Sequence, residues 1–195
     1  MDFFTPCSRK TEGWRRILAL CFFLWAGAAP ANEGIYIQSA ELGLSGDEYL
    51  LEANFEVALT QTLEGALNRG LPLYFVVEFE IIKPRWYTLY LWNKSVLDYR
   101  LDLRLSYNAL TRQYRLSHGA LQQNFDTLED ALALMGRVRP RVIAAADLLD
   151  EGKVYEAAIR VSLDVAQLPK PFQINAIASR DWNLASEWYR WTITK

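Results

Sequence analysis

Between Tyr49 and Val57 apolar and polar side chains alternate without a break, with Tyr49, Leu51, Ala53, Phe55 and Val57 set against Leu50, Glu52, Asn54 and Glu56. A period of two predicts a half-buried antiparallel strand. The run from Leu71 to Ile82 is longer and richer in aromatic and β-branched residues. Leu73, Phe75, Val77, Phe79 and Ile81 share one face, while the other starts apolar at Tyr74 and Val76 and ends charged at Glu78 and Glu80. That gradient predicts a strand covered on both faces at one end and half-solvated at the other. Lys83, Pro84 and Arg85 then break the run, because proline cannot donate to a ladder and restricts the residue before it, and Trp86–Trp92 predicts a second strand.

Further strands are predicted over Ile35–Leu44, Val96–Tyr107, Ala109–Leu116, Ala120–Phe125, Lys153–Asp164 and Glu187–Thr194. The charges Asp98, Arg100, Asp102 and Arg104 alternate in sign on one face of the Val96–Tyr107 run, a pattern that suggests solvent exposure and some protection against edge pairing. Arg137–Ile143, with Pro140 among Arg137, Arg139 and Arg141, predicts an edge-type strand or a basic loop. Thr60 caps a short helix whose Leu63, Ala66 and Leu67 share a face and which Gly70 ends. Thr127 with Asp130 forms a capping pair for another helix, stopped by Gly136. A turn of helix is expected over Asp147–Glu151. The prolines at 169 and 171 break the chain, and Phe172–Ala178 is expected to resume as extended. The fold class is mainly β, an antiparallel β-sandwich with two or three short helices, with an open twisted sheet or partial barrel as the alternative.

The N-terminus has a different composition. Arg9, Lys10, Arg15 and Arg16 precede an apolar core, Ile17–Trp25, and Ala29-Pro30-Ala31 supplies small residues at a cleavage site. Residues 1–31 are therefore expected to be a cleaved signal peptide, with Ala28 as the alternative cleavage point, and 32–195 a single β-rich domain. The 13 residues from Ile17 to Ala29 fall short of the roughly 20 that span a bilayer, so no transmembrane segment is expected in the mature chain. The expected compartment is the periplasm. Cleavage removes both cysteines, Cys7 and Cys21, and takes the net charge from −2 to −4. Such a domain has no disulfide, and its mild acidity argues against nucleic acid as a partner.

Candidate chemistry is sparse. The one histidine, His118, lies between Ser117 and Gly119 and is expected to be a solvent-facing turn residue; no serine stands in a nucleophile-elbow context. A single histidine without cysteine does not make a zinc site, so neither metal nor cofactor is expected. The acids Glu78/Glu80, Asp98/Asp102 and Asp147/Asp150/Glu151 are the available carboxylate pairs, and their spacing on amphipathic strands fits a wet face. Aromatic residues stand out: Trp86, Trp92, Trp182, Trp188 and Trp191, with Tyr87, Tyr90, Tyr114 and Tyr189, serve either as core or as a binding platform.

Gly70–Phe75, Arg85–Tyr87, Leu105–Leu116, Leu168–Gln173 and Asp181-Trp182 together resemble an exported proteobacterial domain-of-unknown-function family, DUF4390, over nearly the whole mature chain. The resemblance brings no catalytic residue. It implies at most an envelope role loosely linked to signalling, through the nitrogen-responsive sensor kinase encoded near its members. The expected function is a non-enzymatic periplasmic accessory or protein-binding domain that presents a sheet edge or an aromatic-basic patch to an envelope protein. The candidate patch is Arg85, Trp86, Tyr87, Arg112 and Arg115, since arginine beside large aromatic rings is enriched at interfaces. The alternatives are a carrier or chaperone for an apolar ligand such as lipid, and a polysaccharide-acting hydrolase.

Overall fold

The strand that alternates so regularly, β2 (Glu48–Ala58), lies between β1 (Gly34–Ser45) and β7 (Arg137–Ala145) in a three-stranded antiparallel sheet. The computed structural model describes residues 33–84 and 94–195. Within them a second antiparallel sheet has six strands in the order β6 (Leu121–Phe125), β5 (Gln113–His118), β4 (Lys94–Asn108), β3 (Leu73–Lys83), β8 (Val154–Leu163) and β9 (Tyr189–Thr194). The ladders form two separate sheets rather than a closed barrel, and β1 lies against β8 and β9, giving a sandwich.

The core is the inner faces of these sheets. All five inward residues of β2 are buried, as are Leu73, Phe75, Val77, Phe79 and Ile81 of β3 and Tyr155, Ala157, Ile159, Val161 and Leu163 of β8. On the outer face of β3 only Val76 is buried, while Tyr74, Glu78, Glu80 and Ile82 are all half-buried, so the strand is covered on both faces at one residue and not along one end as the gradient predicted. Burying a large apolar side chain contributes about 1.5–3 kcal/mol, so these three strands dominate the fold's stability.

Among the described residues three short α-helices close the ends and sides. In α1 (Gln61–Asn68) the Thr60 hydroxyl accepts from the Leu63 N–H at 3.2 Å, and Gly70 takes φ +90°, the left-handed conformation that suits glycine. In α2 (Leu128–Met135) Thr127 accepts from the Asp130 N–H at 3.2 Å and donates to the Asp130 carboxylate at 2.7 Å. The third, α3 (Lys170–Ala178), overturns the expectation of extended chain after Pro171. Pro171 lies in the first helical turn, where a missing N–H has no partner to lose, and so helps to start the helix. Phe172 then stacks on the buried Trp182, ring centroids 5.9 Å apart.

Two other expectations change. The segment from Ala109 to Arg112 is a turn, with Arg112 at φ 54°, and β5 starts only at Gln113. The side chain of Asn108 accepts from the N–H groups of Leu110 and Thr111, which holds that turn. The charged face of β4 guards no edge, because β4 is flanked by β3 and β5; its Arg100–Asp102 pair, 3.0 Å, lies on the outer surface of the sheet. The described part of β3 pairs directly with β4, Lys83 opposite Lys94. The strand expected over Trp86–Trp92 lies outside the described residues.

Candidate functional site

A sandwich has two open sides, and here one runs between the edge strands β6 and β7. Pro140 lies within β7, where it has no N–H to give to a ladder, and β7 is an edge strand as its composition predicts. Its pairing with β2 is irregular. Leu51 faces Arg141 while Ala53 faces Val138, so β7 carries one residue more than β2 between these pairs; a second irregularity falls between Tyr49 and Leu50. Bulges of this kind re-aim side chains. With strict alternation from the buried Val138, Arg141 would point outward with Arg137 and Arg139. The extra residue instead puts Arg141 opposite the inward-facing Leu51, half-buried, and leaves Val142 exposed.

Arg141 meets His118. Its Nη1 lies 2.6 Å from His118 Nε2, and His118 Nδ1 lies 3.0 Å from the Asp102 carbonyl oxygen. Arginine only donates, so this arrangement has Nε2 accept and the Nδ1–H donate to the carbonyl. His118 is thus half-buried at the inner end of β5, bridging the two sheets, and is not the solvent-facing turn residue its neighbours suggested. The expectation failed because Ser117 and His118 still belong to the strand and only Gly119 and Ala120 turn.

Around this pair lies an open groove of about 360 Å³. Leu101, Leu103, Leu116, Met135 and Val138 supply an apolar floor, Leu121, Gln122 and Gln123 of β6 form one rim, and Arg137, Arg139 and Arg141 the other. Among the described residues the ion pairs include none of these three arginines. Arg137 also lines a neighbouring dent that contains Asp126 and Asp130, which offsets its charge. The register sets Arg139 across from the exposed Glu52 of β2, while no acidic residue lines the groove around Arg141. A larger dent of about 920 Å³ lies between α1 and α3, where Leu71, Phe172 and Trp182 form the base and Arg69 is its one charged lining residue.

Of the predicted patch, Arg85, Trp86 and Tyr87 lie outside the described residues. Arg112 is exposed in the turn after β4, and Arg115 donates to the Asn124 side chain at 3.0 Å, holding β5 to β6; neither lines the groove. The aromatic set divides between core and surface. Trp182 is buried, Trp191 stacks at 6.0 Å from Phe79, and Tyr189 is exposed. The carboxylates Glu80 and Asp98 face each other across β3 and β4 on the outer sheet surface, where burial, with Asp98 nearby, pushes the Glu80 carboxyl up; neither lines the groove. Among the described residues no three His, Cys, Asp or Glu side chains gather as a metal site.

The sequence pointed to a different set of arginines, Arg85, Arg112 and Arg115, and read Arg137, Arg139 and Arg141 only as an edge-type strand or basic loop. What joined Arg141 to His118, 23 residues away, was a bulge that no alternation pattern encodes. Residues 32–192 match the family described as "Domain of unknown function (DUF4390)". No curated protein and no solved structure matches the chain.

Proposed function

The chain belongs to the DUF4390 family, whose description carries no activity, and on that premise we propose that it is a non-enzymatic, exported accessory domain. It binds an extended segment of another envelope protein along the groove beside β7. The observation that carries this reading is Arg141, turned inward onto an apolar floor with a histidine nitrogen as its partner and no carboxylate. A half-buried guanidinium in such surroundings is poorly solvated and favours a partner that completes its donors.

Two further features support a polypeptide over a lipid. Among the described residues no strand lies beside the outward N–H and C=O groups of β6, which suits an added strand. The space between the sheets is filled by fully buried side chains, among them Leu51, Phe75, Phe79 and Tyr155, whereas an acyl-chain carrier needs a continuous internal cavity.

The test is site-specific photo-crosslinking in cells. A photoreactive residue at Gln123 or Arg139 is expected to capture the same short segment of one partner, and one at Arg112, in the exposed turn after β4 and outside the groove, to capture none of it. Equal adducts at all three positions would remove the groove from consideration. Export is checked by the intact mass of the envelope form, expected to begin at Asn32.

A further inference from the structure

We infer that the groove reads a carboxylate: the bound segment places an aspartate or glutamate on Arg141, with aliphatic side chains two residues to either side on the apolar floor. This inference rests on the groove being the protein-binding site. Its first support is donor accounting. Arg141 gives one N–H to His118, and because His118 gives its own proton to the Asp102 carbonyl, the histidine acts as a fixed acceptor that orients the guanidinium. The remaining N–H groups of the planar fork match the two oxygens of a carboxylate in parallel.

The second support is charge complementarity. Arg139, exposed at the mouth of the groove, adds a cation on the same strand, and the lining includes no acidic residue. Among the described residues Arg139 and Arg141 form no ion pair, in a chain whose overall charge is −2. Beside an apolar wall a charged hydrogen bond is stronger than in open water. The third support is spacing. Side chains on one face of an extended segment recur every second residue, about 6.5–7 Å apart, which sets one acid between two aliphatic contacts. Lysine in place of Arg141 would keep the charge but lose the fork.

The experiment measures retention of labelled decapeptide pools on the immobilised protein. The pools alternate Ser/Thr with Leu/Val and differ only at one central Leu/Val-side position, which holds Glu, Gln or Lys. The Glu pool is expected to be retained at least about tenfold better than the Gln pool, a difference of about 1.4 kcal/mol. Arg141→Gln should erase that preference, Arg141→Lys should reduce it, and Arg112→Gln, remote from the groove, should leave it intact. Should Arg141→Gln fail to fold by circular dichroism, Arg139→Gln at an exposed position is expected to lower the preference by several-fold. Equal retention of Glu and Gln pools, unchanged by Arg141→Gln, overturns the carboxylate while leaving the groove reading in place. Failure of every pool while Gln123 crosslinks still map one partner also overturns it, and loss of both sinks the groove reading too. Displacement of the Glu pool by palmitate vesicles but not by glutamate-rich peptide would assign the seat to a lipid and overturn it as well.

Discussion

The backbones of Gly136 and Phe55 are in direct contact: the Phe55 N–H donates to the Gly136 carbonyl at 2.8 Å, and a Cβ added at Gly136 would overlap the Phe55 carbonyl oxygen. This contact docks the end of α2 onto the central strand β2 and starts β7 in its register. Gly136 has φ −69°, so its requirement is space and not backbone freedom. Gly136→Ala is therefore expected to destabilise by about 3 kcal/mol, at the upper end of overpacking effects, because backbone must move. Gly65→Ala in α1, where nothing lies near the added methyl, should stabilise by about 0.5–1 kcal/mol. Denaturant melts of the two variants, opposite in sign, check the claim.

Phe79 is 1% exposed on the inner face of β3 and stacks near Trp191. Phe79→Ala is expected to lose about 3–5 kcal/mol, from transfer energy and the cavity left behind. A loss below about 1 kcal/mol by urea titration would mean that this face does not hold the sheets together.

Asp164 ties the end of β8 to β4 and to its own following turn. Burial by itself raises its pKa, but hydrogen bonds from Gln167 at 2.9 Å, the Ala166 N–H at 3.1 Å and Arg100 at 2.8 Å outweigh this and hold the carboxyl below its ordinary value. A depressed pKa contributes stability above the unfolded value, about 3.9, and loses it as pH falls through the folded value. Asp164→Asn should thus be less stable at pH 7 by about 1 kcal/mol, the half-exposed Arg100 adding little. The gap between variant and parent should close as melts are taken below about pH 4.

Tyr155 and Tyr49 make a matched pair of buried phenols with opposite expectations. The Tyr155 hydroxyl accepts from the Asp150 N–H at 3.1 Å and reaches its carboxylate at 3.2 Å, so Tyr155→Phe should lose about 1 kcal/mol. The Tyr49 hydroxyl has no hydrogen-bond partner among the described residues, and burial, with Tyr155 nearby, pushes its pKa up. Tyr49→Phe should be neutral or slightly stabilising in the same thermal melts.

The strands β2, β3 and β8 and the caps at Thr60 and Thr127 were legible because each depends on local chemistry: a period of two, a hydroxyl within reach of an N–H three residues on, a glycine where the chain must turn. Segment 170–178 misled because proline at a helix start and proline at a break are the same residue, and the packing of Phe172 on Trp182 decides between them. The groove was beyond sequence reading for a stronger reason. Alternation fixes a side chain's face only while strand pairing is regular, and the extra residue in β7 exists only relative to β2. Sequence alone determined that Arg137, Arg139 and Arg141 lie with a proline in a segment that is not a core strand, an edge-type strand or a basic loop; the pairing of β7 with β2, and the placement of β5 opposite it, decided that it is a strand and that one of them points inward onto His118.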